Sequence, residues 1–129
     1  MASQLYPKGK KKILDADIDL LVDTIKAALI DTADETYNSA DEWYDDLTGA
    51  GIVAEATLAT KTTTSGVFDA DDTTCTSVTG DPVEAVVLFK WTGSGATSPL
   101  IAWFDLATSF TPNGSDITIV WNGSGIFGI

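Results

Sequence analysis

The residue pattern predicts a mainly β protein: a single antiparallel β-sandwich of about 7–8 strands, jelly-roll-like, with one short helix near residues 39–48. Three observations carry that prediction. Residues 83–91 alternate, with Val83, Ala85, Val87, Phe89 and Trp91 on one side and Val86 and Leu88 between the polar ends Glu84 and Lys90 on the other, as in a central strand. Breaks rich in Gly, Ser, Asn and Pro at residues 92–99, 112–114 and 122–125 cut the chain into short apolar runs. Eighteen threonines, stiff at χ1, suit pleated strands better than long helices.

Taken in order, the first element expected is a short turn or helix near residues 10–15, followed by a strand over residues 23–30. Leu14, Ile18, Leu21, Val22, Ile25 and Leu29 also fit a helical stripe. A long helix there would place a lysine cluster on the positive end of its dipole and would contain aspartates, which are poor helix formers, so the strand is preferred. With Asp17, Asp19, Asp23 and Asp31 fencing its apolar residues, this strand reads as a surface or edge strand kept soluble by carboxylates. The tetrapeptide Ser39-Ala40-Asp41-Glu42 has the form of a capping box and Gly49 that of a stop, which predicts the short helix, docked through Trp43 and Tyr44. Residues 52–59 and 73–79 read as further strands. Residues 100–106 are expected to form a hairpin with 83–91, with Leu100, Ala102, Phe104 and Leu106 on one face and Ile101, Trp103 and Asp105 on the other. Residues 117–121 and 126–129 complete the set.

The chain has 129 residues, enough for one domain with a core of its own, and its 44% apolar content and 12 aromatic residues agree with a folded protein. Its charge is unevenly distributed. Lys8, Lys10, Lys11 and Lys12 account for four of seven lysines, whereas the remaining residues carry nineteen acids against three lysines. The expected organisation is therefore a basic N-terminal arm over residues 1–12 and a single β-rich domain over 13–129. An acidic body repels phosphates and anionic lipid, which argues against nucleic-acid and membrane partners. Asp15, Asp17 and Asp19 interrupt any apolar run a secretory signal would need, and no stretch is long and apolar enough for a membrane span.

Reaction chemistry is sparsely provided. The sequence holds no histidine or arginine and one cysteine, Cys75, which therefore has no intramolecular disulfide partner and no imidazole to activate it. Asp15-Ala16-Asp17-Ile18-Asp19 opens like a calcium loop, but Leu20 stands where glycine is needed and Lys26 where a bidentate glutamate is needed. A weak cation site there or at Asp69-Ala70-Asp71-Asp72 is the residual option. The acid pairs Asp45/Asp46 and Asp71/Asp72 are sequence neighbours, unlike the facing carboxylates of glycoside hydrolysis. Gly93-Ser94-Gly95 lacks the lysine and helix of a phosphate loop. The expectation is no enzyme, no catalytic residue, no cofactor and no metal.

The blocks Asp17–Leu20, Asp23–Asn38, Gly66–Asp72, Val78–Lys90 and Thr111–Trp121 resemble, in order and over most of the chain, a family of small virion proteins of tailed bacteriophages. Residues 8–14 depart from that pattern, because a lysine cluster replaces a more regularly amphipathic segment. The resemblance implies a virion structural protein, assembled in the host cytoplasm. The expected role is a capsid decoration or cement protein, a homo-oligomer on the head surface contacting the major capsid protein, with Lys8, Lys10, Lys11 and Lys12 gripping an acidic partner. The alternative is a tail, baseplate or fibre-attachment adaptor. A host-surface carbohydrate-binding module ranks third and would use Trp91, Trp103 or Trp121, residues more readily explained as core or interface.

Overall fold

The computed structural model describes residues 3–129, and it is mainly β. In chain order the elements are β1 (Gln4–Leu5), α1 (Pro7–Leu14), β2 (Ile25–Ile30), β3 (Ile52–Thr57), β4 (Val67–Phe68), β5 (Thr73–Cys75), β6 (Val83–Lys90), β7 (Leu100–Phe110), β8 (Ile117–Ile119) and β9 (Phe127–Gly128). Five strands form one antiparallel sheet in the order β1-β7-β6-β2-β3, and β4-β9 and β5-β8 form two separate ribbons. No helix among the described residues is long and apolar enough to cross a membrane.

Both faces of the main sheet are covered. One face packs Ile25, Ala27, Leu29, Val86 and Leu88 against Ile18, Leu58 and the ribbon residues Phe68, Cys75 and Phe127. The other packs Ala28, Ile30, Ala85, Val87 and Phe89 against Tyr6, Leu47 and the partly buried Tyr37 and Tyr44. Strand β6 contributes to both cores, as its sequence pattern predicts, and each large aliphatic side chain fully withdrawn from water contributes about 1.5–3 kcal/mol. The expected edge position of β2 is not observed. β2 lies between β6 and β3, and its residues Ala27, Ala28, Leu29 and Ile30 are fully buried. Its fencing acids sit in the turns before and after it. The hairpin of β6 and β7 is present, but the pairs Leu88↔Ala102 and Phe89↔Leu100 leave Ile101 as an extra residue. That bulge exchanges the faces expected for the first two residues of β7, so Leu100 joins Trp103 in the second core and Ile101 enters the first, while Ala102, Phe104 and Leu106 share the first as expected.

The helix expected near residues 39–48 does not form. The Asn38 side chain accepts the Ala40 N–H at 2.9 Å, and Trp43 makes an antiparallel bridge to Pro99. A single 3₁₀ turn follows at Tyr44–Asp46, and Gly49–Gly51 begins a second turn instead of ending a helix. The Asp46 carboxylate takes the Glu42 and Trp43 N–H groups at 2.9 Å each, supplying side-chain partners that a helix start would otherwise seek.

The helix that does form is α1. Pro7 occupies its first turn, where the missing N–H is no loss, and Lys11 and Lys12 fall in its last turn, beside the negative end of the dipole. The basic residues 8–12 are therefore part of the domain, contrary to the expected arm. β1 pairs Gln4 with Trp103 and Leu5 with Ala102, the Tyr6 N–H donates to the Ile101 carbonyl at 2.9 Å, and Tyr6 is fully buried. Met1 and Ala2, the remainder of the expected arm, lie outside the described residues.

Candidate functional site

The four lysines singled out by the sequence occupy different environments on α1. Lys12 is drawn inward: its ammonium is 2.6 Å from the Glu42 carboxylate and 4.6 Å from the centroid of the Trp43 ring. Lys8 donates to the Ala40 carbonyl at 2.9 Å and stands 3.9 Å from Glu42. These two fasten the helix to the loop of residues 38–43. Lys11 pairs with Asp15 one turn along the helix but remains largely exposed, at 75% of its side-chain area, and its ammonium is held more firmly protonated chiefly by that hydrogen bond. Lys10 is exposed and has no ion-pair partner among the described residues. Lys10 and Lys11 are thus the pair presented outward.

The end of α1 and the turn after it also leave apolar side chains exposed, which sequence reasoning missed. Leu14 is 76% exposed, Leu21 49% and Val22 80%. Their neighbours Ile13 and Leu20, with Ile18 and Leu21 itself, line a concavity of about 300 Å³. The signal was present as the helical stripe, but its residues divide between core and solvent because the backbone turns at Ala16, which takes a positive φ of 63°. Ile18 and Leu20 go inward, while Leu21 and Val22 are left outside.

The acids of this segment are structural. Asp19 accepts the Leu21 and Val22 N–H groups at 3.0 and 3.2 Å, and Asp23 accepts the Asp19 N–H at 2.8 Å and pairs with Lys90 at 3.0 Å. Burial pushes the Asp23 carboxyl up, but the hydrogen bonds from the Asp19 amide and Lys90 outweigh it and hold the group below the usual range. Neither of the stretches considered for a weak cation assembles three acids within ligating reach among the described residues; Asp31, Asp34 and Asp81 do, on the far side of β2. Burial, with the Glu55 charge adding, pushes the Cys75 thiol up and away from thiolate character.

A second concavity, of about 370 Å³, is lined by Thr32, Thr36, Tyr37, Glu84, Trp103 and Asp105. Its carboxylates are held by neighbours: Glu84 accepts from the Thr32 amide and hydroxyl at 2.9 and 3.0 Å, and Asp105 accepts from the Trp103 indole at 2.8 Å. The three tryptophans weighed for carbohydrate stacking are engaged internally. Trp103 is 1% exposed; Trp91 packs edge-on against Tyr44 and Phe89 beneath Lys26; Trp121 packs on Phe104 and donates to the Thr73 hydroxyl at 3.2 Å.

Under the loop of residues 31–48, acids crowd together. Glu35 is buried and accepts the Thr48 N–H at 2.6 Å, and a Cβ at Gly51 would lie 2.5 Å from the Glu35 Cβ, so this turn needs a glycine. Burial first, then the charges of Glu35 and Asp46, push the Asp41 carboxyl up to about 6 against the opposing pull of Lys8. An acid raised in the native state binds its proton more tightly there than in the unfolded chain. Stability therefore falls as pH rises between about 4 and 6, and the full penalty persists above 6. Asp41→Asn is expected to stabilise the protein by about 1–2 kcal/mol at pH 7, after allowance for partial solvent screening, and by nothing below pH 4. Melting temperatures of both proteins at the two pH values check this, since the gain must vanish on acidification.

In comparisons with known proteins, the chain matches no family model and no curated protein.

Proposed function

We propose that this chain is a structural component of a tailed-bacteriophage particle, a capsid decoration protein that sits on the head surface as a homo-oligomer with the major capsid protein as its partner. The observation that supports a binding role is the surface around α1. Lys10 and Lys11 point outward one turn from exposed Leu14 on α1, and Leu21 and Val22 are exposed in the turn that follows, on a chain that is otherwise strongly acidic. Such a mixture suits a partner surface with carboxylates at its rim and apolar groups at its centre, the lysines steering approach and the apolar groups supplying contact area. Repeated over many copies, a modest interface of this kind gives strong retention. The proposal for the lysines narrows accordingly from four residues to Lys10 and Lys11, because Lys8 and Lys12 are committed to Ala40 and Glu42.

Removing residues 1–12 would be a poor test, since it would also delete β1 and the buried Tyr6. The informative variant is the double reversal Lys10→Glu, Lys11→Glu, with folding verified by circular dichroism. Its occupancy on stripped particles is expected to fall at least about tenfold, and wild-type occupancy to weaken with salt. Unchanged occupancy would remove these lysines from the interface. Quantitative mass spectrometry of purified particles tests the role itself: hundreds of copies place the chain on the head, whereas about a dozen or fewer favour the tail, baseplate or fibre-attachment adaptor.

A further inference from the structure

Two of the chain's three asparagines are followed by the same two residues, Asn113-Gly114-Ser115 and Asn122-Gly123-Ser124. Both tripeptides are exposed and share one local conformation. The Asn113 side-chain oxygen accepts the Ser115 N–H at 3.1 Å, and the Asn122 side-chain oxygen accepts the Ser124 N–H at 2.8 Å. Each carboxamide is thereby bent forward over the peptide unit of the glycine that follows it. The two sites differ in what the glycine nitrogen is doing. The Gly114 N–H donates to the Val78 carbonyl at 2.7 Å, and the Val78 N–H donates to the Ser115 carbonyl at 3.1 Å, so this turn is clamped to a residue only 3% exposed. The Gly123 N–H has no hydrogen-bond partner among the described residues, and a Cβ on Gly123 would meet nothing within 4 Å.

We propose that Asn122 is a site of spontaneous covalent modification, losing its side-chain amide through a cyclic imide with the Gly123 nitrogen as nucleophile, and that the fold protects Asn113 from the same reaction. The Gly123 nitrogen gives its proton to hydroxide and forms a bond to the Asn122 side-chain carbonyl carbon. The displaced electron pair moves onto the side-chain oxygen, where the Ser124 N–H already stands as a donor. Collapse of this adduct breaks the bond to Nδ2, which leaves as ammonia with a proton taken from water. Water then opens the imide at either carbonyl, giving aspartate or isoaspartate at position 122. One water is consumed and one ammonia released, with no change in oxidation state. Glycine permits the attack because no side chain shields its nitrogen. At Gly114 that nitrogen must first give up its bond to Val78, so the reaction there waits on local opening of the turn. Either product sets a new carboxylate next to Trp121, whose backbone N–H already donates to Asp72 at 3.2 Å. The isoaspartyl form also lengthens the backbone in the turn that leads to β9.

The test incubates the full chain in mildly alkaline buffer made with heavy-oxygen water, which labels every carboxyl formed by opening of the imide. Cleavage after aromatic residues then puts Asn113 and Asn122 on separate peptides, 111–121 and 122–127, for mass spectrometry. The folded protein is expected to convert position 122 at least about tenfold faster than position 113, and faster as pH rises. In urea, where both tripeptides are equally free, the two rates are expected to converge. Gly123→Ala, whose methyl group enters open space, is expected to slow position 122 at least about tenfold with an unchanged unfolding midpoint. An unreactive position 122, equal rates in the folded protein, a difference that survives urea, or a Gly123→Ala variant that reacts as before would each overturn the proposal. None of these measurements involves a particle or a partner, so their outcome is independent of the virion role.

Discussion

Gly9→Ala is expected to destabilise the protein by about 2–4 kcal/mol, although alanine is the better helix former by about 1 kcal/mol. The reason is distance. A Cβ at position 9 would lie 2.4 Å from the Leu100 carbonyl oxygen and 3.1 Å from the Ile101 Cα, and both obstacles are backbone of β7. Neither can rotate away, so α1 must lift from the sheet. Lifting it strains the Tyr6 N–H bond to Ile101, the two-residue pairing of β1 and the seat of the fully buried Tyr6 ring. Lys10→Ala, one residue on and exposed, serves as the control and should change stability by less than about 0.5 kcal/mol. Urea unfolding followed by tryptophan fluorescence measures both. Equal midpoints for the two variants would reject the close packing of α1 against the β7 backbone as the source of its stability.

The same contact explains why the start of the chain was hard to read. Four lysines in five positions look like a solvated arm by composition, and only Tyr6 and Gly9 carry the information that the segment is docked. A single glycine in a short basic run is ordinarily a flexibility signal. Its meaning here comes from a β7 backbone about ninety residues away. Pro7 was the local cue, marking the first turn of a helix whose last turn then places Lys11 and Lys12 at the favourable end of the dipole.

Long strands were legible because their pattern has room to repeat. β6 and β2 were located within two residues, and the β6-β7 hairpin followed from the loop between its strands. β1 and β4, two residues each, are too short to have a period and exist only because a partner strand passes by. The edge position expected for β2 failed for a related reason. Acids before and after an apolar run look the same whether they guard an open edge or cap the turns of a buried strand, and the choice depends on β3 arriving to pair with it. Residues 39–48 show local signals competing. The capping-box pattern at Ser39–Glu42 lost to the Asn38 side chain on one side and to Asp46 on the other, each satisfying amides without a helix. Of the candidate surface, the lysines were legible and their division into a pair bonded to the loop of residues 38–43 and a pair left to solvent was not, because that depends on where Ala40, Glu42 and Trp43 come to rest.

The largest single loss is expected at Trp103. Trp103→Ala should cost about 3–5 kcal/mol, the range for deleting a large aromatic from a packed core. The side chain is 1% exposed and belongs to the second core with Tyr6 and Leu100, with Tyr37 edge-on at 6.1 Å between centroids. Its placement is set by pairing with Val87 of β6, which puts both side chains in the second core. The cost also has a polar part, since the indole N–H donates to Asp105 at 2.8 Å. Trp103→Phe separates the two contributions: it keeps most of the apolar volume, removes that donor, and should cost about 1–3 kcal/mol. Because Trp103 also borders the 370 Å³ cleft, a stacking role for it would predict the reverse pattern, lost ligand binding with near-normal stability. Unfolding midpoints of the two variants therefore decide whether this tryptophan is part of the core or of a recognition surface, and a loss below about 1 kcal/mol for the alanine variant would reject the core assignment.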